Sequence, residues 1–271
     1  MDVNRAALLY LLDRGVSIQY FDHHGSGSVP KHARLRAIID TAPHTCTGII
    51  VDRYLGGLHR IWAIVAAFGD NIQQEPHKLA GSMALEPRQV NALQELGECL
   101  NYNGYGDSDS DSENDLVVHP AALYAILKRH PDPFIFMRDE PVLEQIREAR
   151  EADLYMAQSV QPQVTLPRGA VVVLPDAAWS RRVRGTYGNV LANNFPQRAH
   201  AVLTPNRHAG YTVSVRAPLV TMRGAHWLCS QFGSSGGRAA AAGINHLPRN
   251  QLPRFISAFD HAFGADESHT P

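Results

Sequence analysis

Three side chains able to hold a divalent cation stand in a row at Asp22-His23-His24. A carboxylate and imidazoles together suit Mn2+, Fe or Zn2+. They close a β-rich run, VSIQYF (16–21), and the polar, flexible Gly25-Ser26-Gly27 follows. In open parallel sheets, ligands bind just beyond the C-terminal ends of strands. A turn carrying ordinary surface histidines is the competing reading of the same three letters. A second acid favours the metal. Asp70 closes the very apolar segment HRIWAIVAAFG (59–69), and an acid at the buried end of such a helix needs a partner.

A different chemistry is suggested by GSSGGRAAAAGINHLP (233–248). Gly236 and Gly237 lack Cβ atoms, so backbone there can approach a phosphate closely, and Arg238 can fork onto its oxygens. Ala239 to Ala242 are small enough to let a substrate lie close. A glycine- and alanine-rich turn without function is the alternative.

The elements that must position these residues alternate helix and strand. Asn4 can cap a first helix with Ala7, Leu8, Leu11 and Leu12 on its apolar face, and Gly15 ends it. Helices are expected over 45–57 (Thr-capped), 59–69, 90–100 and 120–130, and residues 106–115 form an acidic low-complexity loop. A long amphipathic helix over 140–158 reads as a bridge between domains. Beyond Pro162 and Pro167 come strands over 169–175, 199–204 and 211–218, with a turn or helix through 181–194. A short helix near 223–232, a loop over 233–243 and a final helix over 249–263 complete the pattern. The expected class is α/β. An open parallel-sheet domain (1–139) is joined through 140–160 to a smaller mixed α/β domain (161–265), and a tail follows over 266–271.

Composition bounds the function. The 271 residues carry 44% hydrophobic side chains, enough for packed cores. No run reaches the roughly 18 apolar residues of a membrane span, and the N-terminal pattern is not that of a signal peptide, so a cytoplasmic protein without a membrane partner is expected. Cys46, Cys99 and Cys229 are too few and too scattered for a disulfide framework or a metal knuckle. The net charge of −1 hides a division: from residue 160 onward, eleven arginines face four acids, a surplus of +7, and residues 1–159 carry −8. Acids and histidines suit metal ions, and arginine suits phosphate.

Taken together, YFDHHGSG and GGRAAAAG, about 210 residues apart, resemble the two signatures of the DHH phosphoesterase superfamily with its DHHA1 domain. That family includes RecJ-type single-strand exonucleases, oligoribonucleases and cyclic-dinucleotide phosphodiesterases. The resemblance implies a Rossmann-like domain holding two Mn2+ ions, a DHHA1 domain gripping nucleic acid, and an active site in the cleft between them. It implies metal ligation by Asp2, Asp22, His23 and Asp70, with His24 orienting the phosphate or leaving group beside His23. Gly236, Gly237 and Arg238 match the family's glycine-rich substrate motif. The histidine usual at the third position is Arg238 here, which cannot change protonation near pH 7. Ser214-Val215-Arg216 is similar to the strand whose Ser and Arg face the substrate backbone; Arg182 and Arg184 are weaker candidates, read as solvated rather than functional.

The family's first motif, a strand followed by an Asp-x-Asp loop, is not matched. Asp107-Ser108-Asp109-Ser110-Asp111 has the letters without the context, and Ser112 and Val118 exclude an EF-hand loop. The implied activity is metal-dependent hydrolysis of phosphodiester bonds in short single-stranded nucleic acid or dinucleotides. The alternative is a truncated, catalytically impaired nucleotide-binding module holding one Mn2+ or none. A start assigned too far downstream would also explain the missing motif, and a sheet edge left unpaired would favour a homodimer.

Overall fold

The structure, a computed structural model, describes residues 4–104 and 115–264. Asp2, the acidic run 105–114 and the tail lie outside the described residues. The chain divides into two compact units: Met1–Glu98 with His130–Phe136, and Cys99–Arg129 with Met137–Pro271. Residues 99–129 and the helix over 142–158 therefore group with the second unit, whereas a boundary near 139 is the sequence expectation.

In the first unit, α1 (Arg5–Asp13) ends where Gly15 adopts φ +85°, and the Gly15 and Val16 N–H groups cap the carbonyls of Leu12 and Leu11. Leu8 and Leu12 alone of its expected face are buried; Ala7 and Leu11 are exposed. The partner surface explains this. Strands β1 (Ile18–Asp22) and β2 (Leu35–Ile39) offer Ile18, Tyr20, Leu35, Ala37 and Ile39 to a single i, i+4 line. The two strands pair in parallel, with Ile18 opposite Leu35 and Asp22 opposite Ile39. β2 is an element the sequence reading lacks.

Helices α2 (Thr47–Tyr54), α3 (Arg60–Gly69), α4 (Gln74–Ser82) and α5 (Pro87–Gly104) follow. Thr45 does not cap α2, because its hydroxyl donates to Asp40 Oδ2 at 3.2 Å. The apolar α3 is buried nearly throughout, with Ile64 and Ala67 fully enclosed and Cys46, Ile49 and Ile72 packed on Ala67. Gly97 lets α5 approach its backbone; a Cβ there would lie 2.8 Å from the Gly69 nitrogen.

The second unit adds α6 (Pro120–Leu127), α7 (Pro133–Asp139, which begins in the first unit) and α8 (Val142–Gln158). Then come β3 (Val164–Leu166), β4 (Gly169–Val173), α9 (Ala178–Asn194), β5 (Ala199–Pro205) and β6 (Gly210–Arg216). The chain closes with α10 (Ala225–Ser230), β7 (Ser235–Gly237), β8 (Ala241–Pro248) and α11 (Leu252–Gly264). The described strands form one mixed sheet, β3-β4-β5-β6-β8-β7, in which β4 and β5 are parallel and the other pairs antiparallel. One face packs Val171, Leu203, Val215 and Ile244 against Phe255, Phe259 and Phe263 of α11. Each such aromatic removed from water contributes about 1.5–3 kcal/mol. By strand alternation the other face carries His200, Thr204, Ser214 and Arg216 toward α9. The segment 233–243, expected as loop, is largely the β7–β8 hairpin.

Arg182 and Arg184 are not solvated. Arg182 grips Asp153 of α8 with Nε and Nη2, at 2.8 and 3.0 Å, and Tyr102 donates to the same carboxylate at 2.5 Å. Arg184 donates to Thr204 at 2.6 Å in the interior. All three cysteines are buried and none is joined in a disulfide. Among the described residues, no helix is long and apolar enough to cross a membrane.

Candidate functional site

The parallel pair brings the chain ends of β1 and β2 together, and the Asp40 N–H donates to the Asp22 carbonyl at 3.2 Å. Asp22 turns its carboxylate back on the chain. Its Oδ1 accepts the N–H groups of His23 and His24 at 2.8 and 3.0 Å and lies 3.0 Å from His24 Nδ1; Oδ2 accepts the Tyr20 hydroxyl at 3.1 Å. Burial alone would raise this acid, but the hydrogen bonds from His24, His23 and Tyr20 outweigh it and hold the carboxyl below its usual range. The ionised Asp22 thus shapes the turn. It also orients the second histidine: a carboxylate only accepts, so His24 donates to it from Nδ1. That ring is half-exposed.

His23 is only 7% exposed. Its Nδ1 lies 2.9 Å from Thr47 Oγ1 and 3.2 Å from the Thr47 backbone nitrogen at the start of α2. Its Nε2 lies 3.3 Å from Asp70 Oδ2, yet is buried without a well-directed hydrogen bond. Asp70 reaches this place because α3 stops there: Asn71, at φ +57°, reverses the chain as Asp70 N–H closes on Ala66. The ligand atoms of Asp22, His23 and His24 lie within 4.8 Å of one another.

These residues fit a divalent ion. A buried imidazole nitrogen without a hydrogen bond, facing a carboxylate at 3.3 Å, has the separation of two neighbouring ligands with bonds of about 2.1 Å. The donor set suits Mn2+ or Zn2+. Asp22, His23, His24 and Asp70 are therefore brought together, and Asp2 lies outside the described residues.

In the second unit, pairing aligns Ser214 with Gly243 and Gly243 with Gly236, and places Arg216 opposite Ala241. Arg216 lies against Gly188 of α9, where an added Cβ would sit 3.6 Å from its Cγ. Its Nε donates to Asn189 Oδ1 at 2.6 Å, Nη1 to Ser214 Oγ at 2.8 Å and Nη2 to the Gly185 carbonyl at 3.3 Å. The Arg238 N–H closes the hairpin on the Ala241 carbonyl at 2.7 Å. Gly237 has φ +133°, and a Cβ there would lie 2.5 Å from the Ala241 oxygen; at Gly236 nothing lies within 4 Å. So Gly237 serves the turn and Gly236 leaves open space. The sequence reading misses Thr47 and Asn189. Both are polar residues at or inside helices, and only their partners in space mark them out.

No protein-family model matches the chain, and no curated protein matches it. Among solved structures it is similar to RecJ in complex with Mn2+ from Thermus thermophilus, with a TM-score of 0.54 at 16% identity, covering 95% of this chain and 43% of that one. It is also similar to the pGpG-specific phosphodiesterase PggH from Vibrio cholerae (TM-score 0.48, 11% identity, 89% and 81% covered). A third is an exopolyphosphatase-related protein from Bacteroides fragilis (0.43, 13%, 90% and 62%). The chain spans less than two thirds of that last protein and less than half of RecJ. The likeness to RecJ is one of fold: the chain shares its α/β arrangement.

Proposed function

We propose that this protein is a metal-dependent phosphodiesterase acting on short single-stranded nucleic acid or dinucleotides. The observation that carries the reading is the buried His23 Nε2 facing Asp70 Oδ2 at 3.3 Å without a hydrogen bond. The fold shared with the Mn2+-bound RecJ supports it.

His23 and Asp70 would hold the ion, for which we propose Mn2+, and Asp22 and His24 adjoin them. When bound, such an ion polarises a phosphoryl oxygen and lowers the pKa of a water. The chain's own residues do the rest. Asp22 holds His24 through Nδ1, which leaves Nε2 as the nitrogen that would accept a proton from the attacking water and return it to the leaving oxygen. Tyr20 and the two N–H groups keep Asp22 ionised for that purpose. In the second unit, Ser214, Arg216 and Arg238 would hold phosphate oxygens, and Gly236, beside the turn that Gly237 makes, would let the backbone come close.

The test is turnover of pApA or a short oligonucleotide with Mn2+. Turnover lost on chelation and in His23→Ala is expected; a wild-type rate no higher than the His23→Ala control sinks the proposal. Nucleotide binding indifferent to Mn2+, without turnover, supports a binding module instead.

A further inference from the structure

His23 Nδ1 faces two groups of one residue. Thr47 Oγ1 is at 2.9 Å and the Thr47 backbone nitrogen at 3.2 Å. An imidazole Nδ1 offers either one lone pair or one proton, so it cannot use an N–H donor and a hydroxyl acceptor at full strength together. The amide contact needs an unprotonated Nδ1, whereas the hydroxyl can donate to an unprotonated Nδ1 or accept from a protonated one. With the proton on Nε2, Nδ1 accepts the Thr47 N–H. That amide is the first of α2, whose Cys46 cap position supplies no side-chain hydrogen bond, so the His23 ring is what caps the helix there. With the proton on Nδ1, the ring donates to Thr47 Oγ1, and the Nε2 lone pair is left facing Asp70.

We infer that Thr47 is a positioning residue that reads and supports the metal-binding state of His23. Its amide can bond only the metal-free tautomer, and its hydroxyl is the group that can accept from the metal-bound one. The inference rests on His23 being a metal ligand. On binding, Nε2 gives its proton to solvent and Nδ1 takes one from solvent. One α2 cap bond is thereby exchanged for a hydroxyl bond. A ligating histidine gains basicity and a fixed orientation when its other nitrogen donates in this way.

The experiment compares wild type, Thr47→Val and Thr47→Ser. Free Mn2+ is followed by electron paramagnetic resonance, and the His23 ring nitrogens and Thr47 amide by 15N NMR with and without Zn2+ as the diamagnetic probe. Thr47→Val keeps the N–H and the shape but lacks the acceptor. Its Mn2+ affinity is expected to fall about 10–100-fold, and Thr47→Ser to recover to within about threefold of wild type. The metal-free ring is expected protonated at Nε2 in all three proteins, and Zn2+ to move that proton to Nδ1 in wild type and Thr47→Ser. Unchanged affinity in Thr47→Val overturns the inference, as does a metal-free ring protonated at Nδ1. A wild-type protein with no metal at His23 overturns the proposed function as well, a failure told apart because it needs no Thr47 variant.

Discussion

Arg216 Nε donates to Asn189 Oδ1 at 2.6 Å, so the guanidinium expected to meet substrate is already held by its own fold. Arg216→Lys keeps the charge but not the planar fork that reaches Asn189, Ser214 and the Gly185 carbonyl together. We expect a loss of about 1–3 kcal/mol in stability and roughly tenfold weaker nucleotide binding. Denaturant melts and calorimetry measure the two. Unchanged affinity would make Arg216 a purely structural residue.

Asp70→Asn keeps the size of the side chain that faces His23 and removes its charge. Mn2+ affinity should fall at least about tenfold, with the melting temperature of the metal-free protein little changed. Equal metal affinity in the variant would move the ligand role away from Asp70.

The two hairpin glycines should separate. Gly237→Ala places a methyl into fixed backbone at a left-handed φ, so a loss of about 2 kcal/mol or more is expected. Gly236→Ala meets nothing within 4 Å and should leave stability intact. Reduced nucleotide binding by Gly236→Ala alone would mark that open space as the approach to the backbone.

His200 supplies a pH dependence. Burial, with the nearby Arg198 charge, pushes the ring down from 6.5 to about 4, offset in part by the Phe195 backbone, and neither nitrogen makes a well-directed hydrogen bond. A depressed histidine binds its proton in the unfolded chain first. Stability is therefore full above pH 6.5 and lost as the pH falls from 6.5 to about 4, on the order of 3 kcal/mol in total. Urea melts at pH 7 and pH 5 should show the slope, and His200→Leu should flatten it.

Asp153→Ala would leave Arg182 without its carboxylate and Tyr102 without its acceptor, at a cost of about 3–5 kcal/mol. Chemical denaturation gives the number. A change below about 1 kcal/mol would mean that solvent already screens the pair.

What the sequence makes legible is local. Asp22, His23 and His24 are consecutive, and the apolar run over 59–69 leads straight to Asp70, so their meeting needs little long-range information. β2 goes unread because its five residues, four half-buried and Arg36 exposed, carry neither clean alternation nor a flanking signal. The β7–β8 hairpin goes unread because glycine and alanine have no strand preference; pairing with β6 decides it. The arginine surplus misleads for a related reason. Arg181, Arg182, Arg184, Arg198 and Arg216 direct donors into the second unit itself, toward acceptors distant in sequence. Net charge counts such residues as free cations, and the fold does not.

The connection between β1 and β2 has a thermodynamic consequence. Residues 23–34 both begin with the two histidines and join the only parallel pair described in the first unit, with no helix between, tied back by Arg5 to Ser28 at 2.6 Å. Parallel strands ordinarily rely on a packed crossover for their register. Here an ion or phosphate gripped at the mouth of that connection would also fasten the strands, so occupancy and folding of this unit are linked equilibria. A ligand present at a hundred times its Kd would add about 2.7 kcal/mol to the unit's resistance to unfolding.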